Sequence, residues 1–414
     1  MTWEKVKLAE CCSSIADGDH LPPPKAEKGV PFVTISNINS SHQFDFSDTM
    51  YVPQEYYDRL DSKRKAQIGD VLYSVVGSFG IPVLIKENIP FVFQRHIGIL
   101  RPNEKILPAF LYYTMLSHDF YAKADAVAIG AAQRTISLSV LRNMEIALPP
   151  FEVQKSIVCI LSAYDDLIEN NQKQIKLLEE AAQRLYKEWF IDLRFPDHEN
   201  TPIHDGLPEG WERKTVNECL QMHMNGGWGS EISEAKNYIP GKVIRGTDIN
   251  DIKMGEYKDV PLRFHSENDI NKKILHPDDI VFELSNGNIS NIGRSLYIDE
   301  QILHNCGVNT ICASFCKLFR PINRLHALLL YWEIQDMQSS GRMIPYKKHG
   351  ANGINNFDFE GFLEHKLLIP NKPEFINPFN SFMQKMSNIQ YQFTILKESR
   401  DRLLPQLMSG ELKL

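Results

Sequence analysis

No stretch of the 414-residue chain approaches eighteen consecutive apolar residues, so a membrane-spanning helix is excluded. The opening Met1-Thr2-Trp3-Glu4-Lys5-Val6-Lys7 lacks the apolar core of a signal peptide. Cysteines number seven, an odd count that includes the adjacent pair Cys11-Cys12, which argues against a disulfide framework. These features predict a reduced, cytoplasmic protein. Positive charge is not in surplus: 45 basic residues face 52 acidic ones, a net −7. A chain holding nucleic acid by a basic surface alone would look different.

Several catalytic signatures are missing too. No G-x-x-x-x-G-K-[ST] occurs, so no P-loop binds ATP, and no G-x-G-x-x-G opens a helix; Gly77-Ser78-Phe79-Gly80 is too short. Leu148-Pro149-Pro150-Phe151 imitates the loop in which an adenine methyltransferase holds its target amino group, but Leu148 has no acceptor. Asp278, Asp279 and Glu283 suggest a nuclease cluster, yet Ser285 stands where the usual Lys would be. They read as a solvated loop and strand start, with Asp70 at the equivalent turn. Cys306, Cys312 and Cys316 near His304 lack a C-x2-C knuckle and read as core cysteines. No metal is expected, and no catalytic residue.

What the sequence does contain is repetition. Phe32-Val33-Thr34-Ile35-Ser36-Asn37-Ile38-Asn39 resembles residues 243–250, and Gln67-Ile68-Gly69-Asp70-Val71-Leu72 resembles 276–281. Ile146-Ala147-Leu148-Pro149 resembles Leu367-Leu368-Ile369-Pro370. The order is kept and the offsets stay near 210, so a half-chain occurs twice. Each half reads as a mixed block: β-rich runs at Val71–Val76, Pro90–Phe93, Ile280–Leu284 and Thr310–Ala313, with helical patterns at Ala109–Leu116 and Leu325–Met337.

Each block leads into a long helix. In the first, Ile157, Leu161, Tyr164, Ile168, Asn171, Ile175, Leu178, Ala182, Leu185 and Trp189 alternate at 4,3 spacing, the seam of a coiled coil. In the second, Phe379, Phe382, Met386, Ile389, Phe393, Leu396, Arg400, Leu403 and Leu407 alternate at 3,4 spacing. Asn171 is the polar seam position that would fix register. Most of the net acidity lies in residues 151–206, with 6 basic against 11 acidic groups. Each helix could pack on its own domain; the preferred reading pairs them antiparallel, because a narrow seam cannot be buried alone. The expectation is an α+β chain: two similar mixed α/β domains at 1–150 and 197–370, separated by a coiled-coil helix and linker at 151–196 and followed by a second coiled-coil helix at 371–414.

At this point the sequence resembles a known family, the specificity subunits of Type I restriction–modification systems. The resemblance spans Trp3 with Leu8, Leu207-Pro208-Glu209-Gly210-Trp211, Gly130-Ala131-Ala132-Gln133-Arg134-Thr135-Ile136, Leu148 to Gln154, and Leu403-Leu404-Pro405-Gln406-Leu407-Met408-Ser409-Gly410. It implies two target-recognition domains, each reading one half of a split double-stranded DNA sequence, with the helices as spacer. It further implies docking of two modification (methyltransferase) subunits, which bring S-adenosylmethionine, and of restriction subunits, which use ATP. This chain would itself carry no cofactor. Gly350-Ala351-Asn352-Gly353-Ile354-Asn355 departs from the first-half pattern by lacking a counterpart of Gln133. The alternative is a coiled-coil interaction scaffold without DNA specificity.

DNA readout needs Arg or Lys for guanine and Asn or Gln for adenine. The loops of the first block offer Ser36, Asn37, Asn39, Gln94, Arg95, His96, Gln133 and Arg134. Those of the second offer Arg245, Thr247, Asn286, Asn288, Lys347, Lys348, His349 and Asn352. Any one of them could equally be a turn cap or a solvated loop residue.

Overall fold

The computed structural model describes residues 3–20, 22–39, 42–46, 49–130, 134–257, 259–350 and 353–412. The chain divides into two compact units, Met1–Leu167 with Leu396–Leu414, and Ile168–Ile395. Among the described residues no helix is long and apolar enough to cross a membrane.

In the first unit, a four-stranded antiparallel sheet runs Cys12–Asp17, Ile97–Pro102, Val71–Ser74, Pro82–Leu84. A smaller sheet places Val30–Val33 between antiparallel Met50–Val52 and parallel Val92–Phe93. The second unit repeats both: Leu220–Asn225, Cys316–Pro321, Ile280–Glu283, Ser295–Tyr297 in one sheet. Ile239–Ile244 lies between antiparallel Leu262–His265 and parallel Asn309–Cys312 in the other. Even the register shift recurs, at Cys12/Ser14 and at Leu220/Met222. The short pair Glu4–Lys7 with Glu145–Leu148 is matched by Glu212–Thr215 with Lys366–Ile369. The repetition seen in the sequence is therefore a repetition of topology.

The acidic turns before the central strands are not solvated, and that expectation is corrected. Asp70, Asp279 and Glu283 are buried, and each meets a guanidinium: Arg101, Arg320 and Arg294. A carboxylate taken out of water must be paired and hydrogen-bonded, and the pairing arginines lie too far along the chain to be inferred from local spacing. Asp278 alone stays half-buried, paired with Arg324.

The long helices are Phe151–Tyr186, ending in a π-turn at Lys187–Ile191, and Asn377–Ser409, ended by Gly410 at φ +72°. Every seam position named above is buried or half-buried. Within the first unit Ile157 and Leu161 share a core with Leu404 and Leu407, and Asp165 pairs with Arg400 at 2.8 Å. Within the second, Tyr186 meets Phe379 edge-on, while Gln174 and Leu178 share a groove with Lys385 and Ile389. In both places an earlier residue on one helix meets a later one on the other, so the two run antiparallel. They also pack on the domains: Leu8, Tyr73 and Phe110 complete the first core, and Trp211, Trp332 and Phe362 the second.

Candidate nucleic-acid interface

In each unit the backbone gathers loops that are distant in sequence at one edge of the sheets. In the first, the Gln94 N–H donates to Val33 O, the Val75 N–H to His96 O, and the Gly77 N–H to Arg134 O. The turn 94–96, the loop after Val71–Ser74, the segment around Arg134 and the turn after Val30–Val33 thereby become neighbours. In the second, the Ala313 N–H donates to Ile244 O, the Leu284 N–H to Phe315 O, and the Phe357 N–H to Leu284 O. Ser285–Asn286, Asn355–Phe357 and Lys347–Lys348 form a small antiparallel sheet there. Isolated bridges from Thr135 to Val76 and to Ile129 are its counterpart in the first unit.

Glycine makes this convergence possible. A Cβ on Gly18 would lie 2.1 Å from Phe93 O, and one on Gly226 would lie 2.2 Å from Cys312 O. Only a residue without a side chain lets the strand end lie flush against the neighbouring turn.

The candidate side chains fall into three groups. Some are tied up locally. Asn37 Oδ1 accepts from the Thr34 N–H at 2.8 Å, Asn39 Oδ1 from the Gln43 N–H at 3.0 Å, and Asn288 Oδ1 from the Ser290 N–H at 3.0 Å. Ser36 shares a 2.7 Å hydroxyl contact with Thr34, and Asn286 donates to Glu283. Others are cations with a partner in the chain. Arg134 pairs with Asp125, Arg245 with Asp248, Lys348 with Asp358, and Lys347 donates to Ser290 O. The hydrogen bond to Asp248 raises the Arg245 pKa, whereas burial lowers that of Lys347. His349 faces Asn355 Oδ1 at 3.1 Å. The third group is more open: Arg95 and Thr247 are exposed, and Gln94 and His96 half-buried. Burial, then the neighbouring Arg95, lowers the His96 pKa and favours the neutral ring. Gln133 and Asn352 lie outside the described residues.

Elsewhere, no group of three or more potential metal ligands occurs among the described residues. Cys306, Cys312 and Cys316 are buried free thiols; burial pushes Cys312 up to about 12 and raises Cys316 well above its ordinary value. Such thiols stay protonated and pack as small apolar groups.

Residues 1–180 match the family model of the Type I restriction modification DNA specificity domain. The specificity subunit of the Type I restriction enzyme MjaIX from Methanocaldococcus jannaschii is 26% identical over 352 residues, covering 80% of this chain and 75% of that one. The putative MjaX specificity subunit of the same organism is 30% identical over 217 residues, about half of each chain at 51%. The crystal structure of the Type I S subunit from M. genitalium aligns over 98% of this chain and 96% of that one, with a TM-score of 0.52 at 17% identity. Residues 1–180 thus match a Type I restriction–modification DNA specificity domain, and the chain is similar to whole specificity subunits. The family model covers the first domain and most of the first long helix; the internal repeat carries the same architecture through the second half of the chain.

Sequence reasoning missed the second-half counterpart of Gln94-Arg95-His96. It is Ala313-Ser314-Phe315, at an offset of 219 rather than about 210. The signal was present in the following strand, where Arg101-Pro102 corresponds to Arg320-Pro321.

Proposed function

We propose that this chain is the DNA sequence-recognition subunit of a Type I restriction–modification complex, in which each unit reads one half of a bipartite double-stranded target. The observation that carries this reading is one scaffold used twice, with the same strand order and the same convergent loop edge but different side chains on the loops. Duplicated scaffold with divergent loops is what two related but differently written half-sites require. It also disfavours a scaffold without DNA specificity, which has no use for two differently decorated loop edges.

On this reading the chain is a non-catalytic targeting subunit. Two modification subunits supply S-adenosylmethionine chemistry, and restriction subunits supply ATP-driven translocation and cleavage, all in the cytoplasm. The groove lined by Leu177, Leu178, Asn388 and Ile389 on the paired helices offers apolar surface for a partner. The net charge of −7 is compatible with DNA binding, because partner subunits would enclose the duplex together with this chain. Sequencing modified bases in cells with and without the gene tests the proposal. A split methylated motif should vanish on deletion and return on complementation. An unchanged set of methylated sites would defeat it.

A further inference from the structure

The two turns at the convergent edge superpose in their bonding and differ in their chemistry. Five relations match. Val75 N–H donates to His96 O at 2.8 Å, and Leu284 N–H to Phe315 O at 2.9 Å. Gln94 N–H donates to Val33 O and Ala313 N–H to Ile244 O. Ile97 N–H closes onto Gln94 O, and Cys316 N–H onto Ala313 O. Gly18 N–H donates to Ile97 O and Gly226 N–H to Cys316 O, and each of those glycines lies flush on its turn. Phe315 therefore occupies the place of His96.

Its environment sets it apart from a packing residue. Phe315 is 60% exposed on a turn otherwise made of small residues, Ala313 and Ser314. Leu284, which its carbonyl holds, also accepts the Phe357 N–H, and the strand Asn355–Phe357 pairs with Lys347–Lys348. The open phenyl thus lies on the loop edge that the backbone links, through Leu284 and Phe357, to the Lys347–Lys348 hairpin.

We infer that Phe315 is a base-readout residue of the second domain and contacts the C5-methyl of a thymine in the major groove. This rests on the DNA-recognition reading above. A phenyl ring has no donor or acceptor for the polar base edges, and the thymine methyl is the apolar feature the major groove displays. The first domain offers Gln94, Arg95 and His96 at the same place, so one structural position reads polar edges in one half-site and a methyl in the other.

The test uses the complex reconstituted with its modification subunits. Synthetic duplexes carry deoxyuridine in place of each thymine of the second half-site in turn, which removes one methyl and nothing else. At one position the wild-type complex should bind about fourfold more weakly, the value of one buried methyl. Phe315→Ala should bind the thymine duplex more weakly by at least that factor and be indifferent to deoxyuridine there, with unchanged melting. Phe315→Leu, still apolar, should keep part of the discrimination. In cells, replacing the turn as A313Q/S314R/F315H should alter the methylated motif at one position of the second half-site and leave the first half-site intact. Deoxyuridine without effect at every position would overturn the assignment, as would general weakening by Phe315→Ala with no position dependence, the mark of a wedge or a structural residue. A wild-type complex without any sequence preference would instead remove the underlying reading, and the two failures are distinguishable.

Discussion

Asp70 holds Arg101 by two parallel arms, Oδ1 to Nε and Oδ2 to Nη2, both at 2.9 Å. Asp279 and Arg320 repeat the pair at 2.8 and 2.7 Å. Each carboxylate also accepts a backbone N–H of its own turn, from Gln67 or His276, and each arginine reaches the carbonyl of Lys65 or Ile274. The clamp ties the turn before one central strand to the neighbouring strand, which at its other end leads back to the 94–96 or 313–315 turn. Asp70→Ala and Asp279→Ala each strand a guanidinium and should cost about 3–5 kcal/mol in the unit concerned. Thermal unfolding monitored by circular dichroism checks this; a loss under 1 kcal/mol would mean the arginine finds water instead.

Gly18→Ala and Gly226→Ala should each destabilise by about 1–3 kcal/mol, because the added carbon overlaps a backbone oxygen that cannot move alone. Gly287→Ala is the control, with nothing within 4 Å of its Cβ, and should change stability by no more than about 0.5 kcal/mol. Equal effects at Gly18 and Gly287 in urea titrations would contradict the close approach.

Asn171 is buried in the helical seam, and its Nδ2 has no hydrogen-bond partner among the described residues. A stranded amide hydrogen donor costs about 1–3 kcal/mol, so Asn171→Leu should raise the melting temperature. A fall would show that the amide is satisfied in solution and that the asparagine contributes stability as well as register.

His265 is buried, its Nε2 lacks a partner among the described residues, and burial lowers its pKa below 6.5. Asp269 opposes that shift and Lys273 reinforces it; His326 is lowered in the same way by burial and Lys214. Because the folded state disfavours the imidazolium, the unfolded chain binds more protons below pH 6.5, so stability is full above that pH and declines as pH falls beneath it. The lowered carboxylate pKa values of Asp269 and Glu333 act in a separate, more acidic window, below their ordinary values of 3.8 and 4.5. Urea midpoints at pH 7.5 and 5.5 should differ, and His265→Gln should narrow the difference. An unchanged gap in that variant would exonerate His265.

Arg95 is exposed on the first unit's turn. Arg95→Ala should relax the methylated motif within the first half-site, at a cost of about 1–3 kcal/mol if the arginine reads a guanine, and leave the second half-site unchanged. Uniform weakening across all sequences would make it a phosphate contact instead.

The sequence alone determined the duplication and the two seams, because these depend on periodicity and local residue type, as in the alternating 4,3 spacing from Ile157 to Trp189; where the helices end, at Ile191 and from Asn377 to Ser409, came from the structure. The sequence also displayed Asp70 and Asp279 as equivalent turns. It could not show that both are buried, since the neutralising Arg101 and Arg320 arrive from strands 31 and 41 residues away. Nor could it sort the readout candidates, because a cap such as Asn37 and an open residue such as Arg95 look alike until the hydrogen bonds are drawn. Phe315 escaped for a similar reason. Its equivalence to His96 is written in backbone bonds between strands, and hydrophobicity alone would assign a phenylalanine to the core. Which side chains a fold turns outward is decided by long-range packing, and only the tertiary structure carries that information.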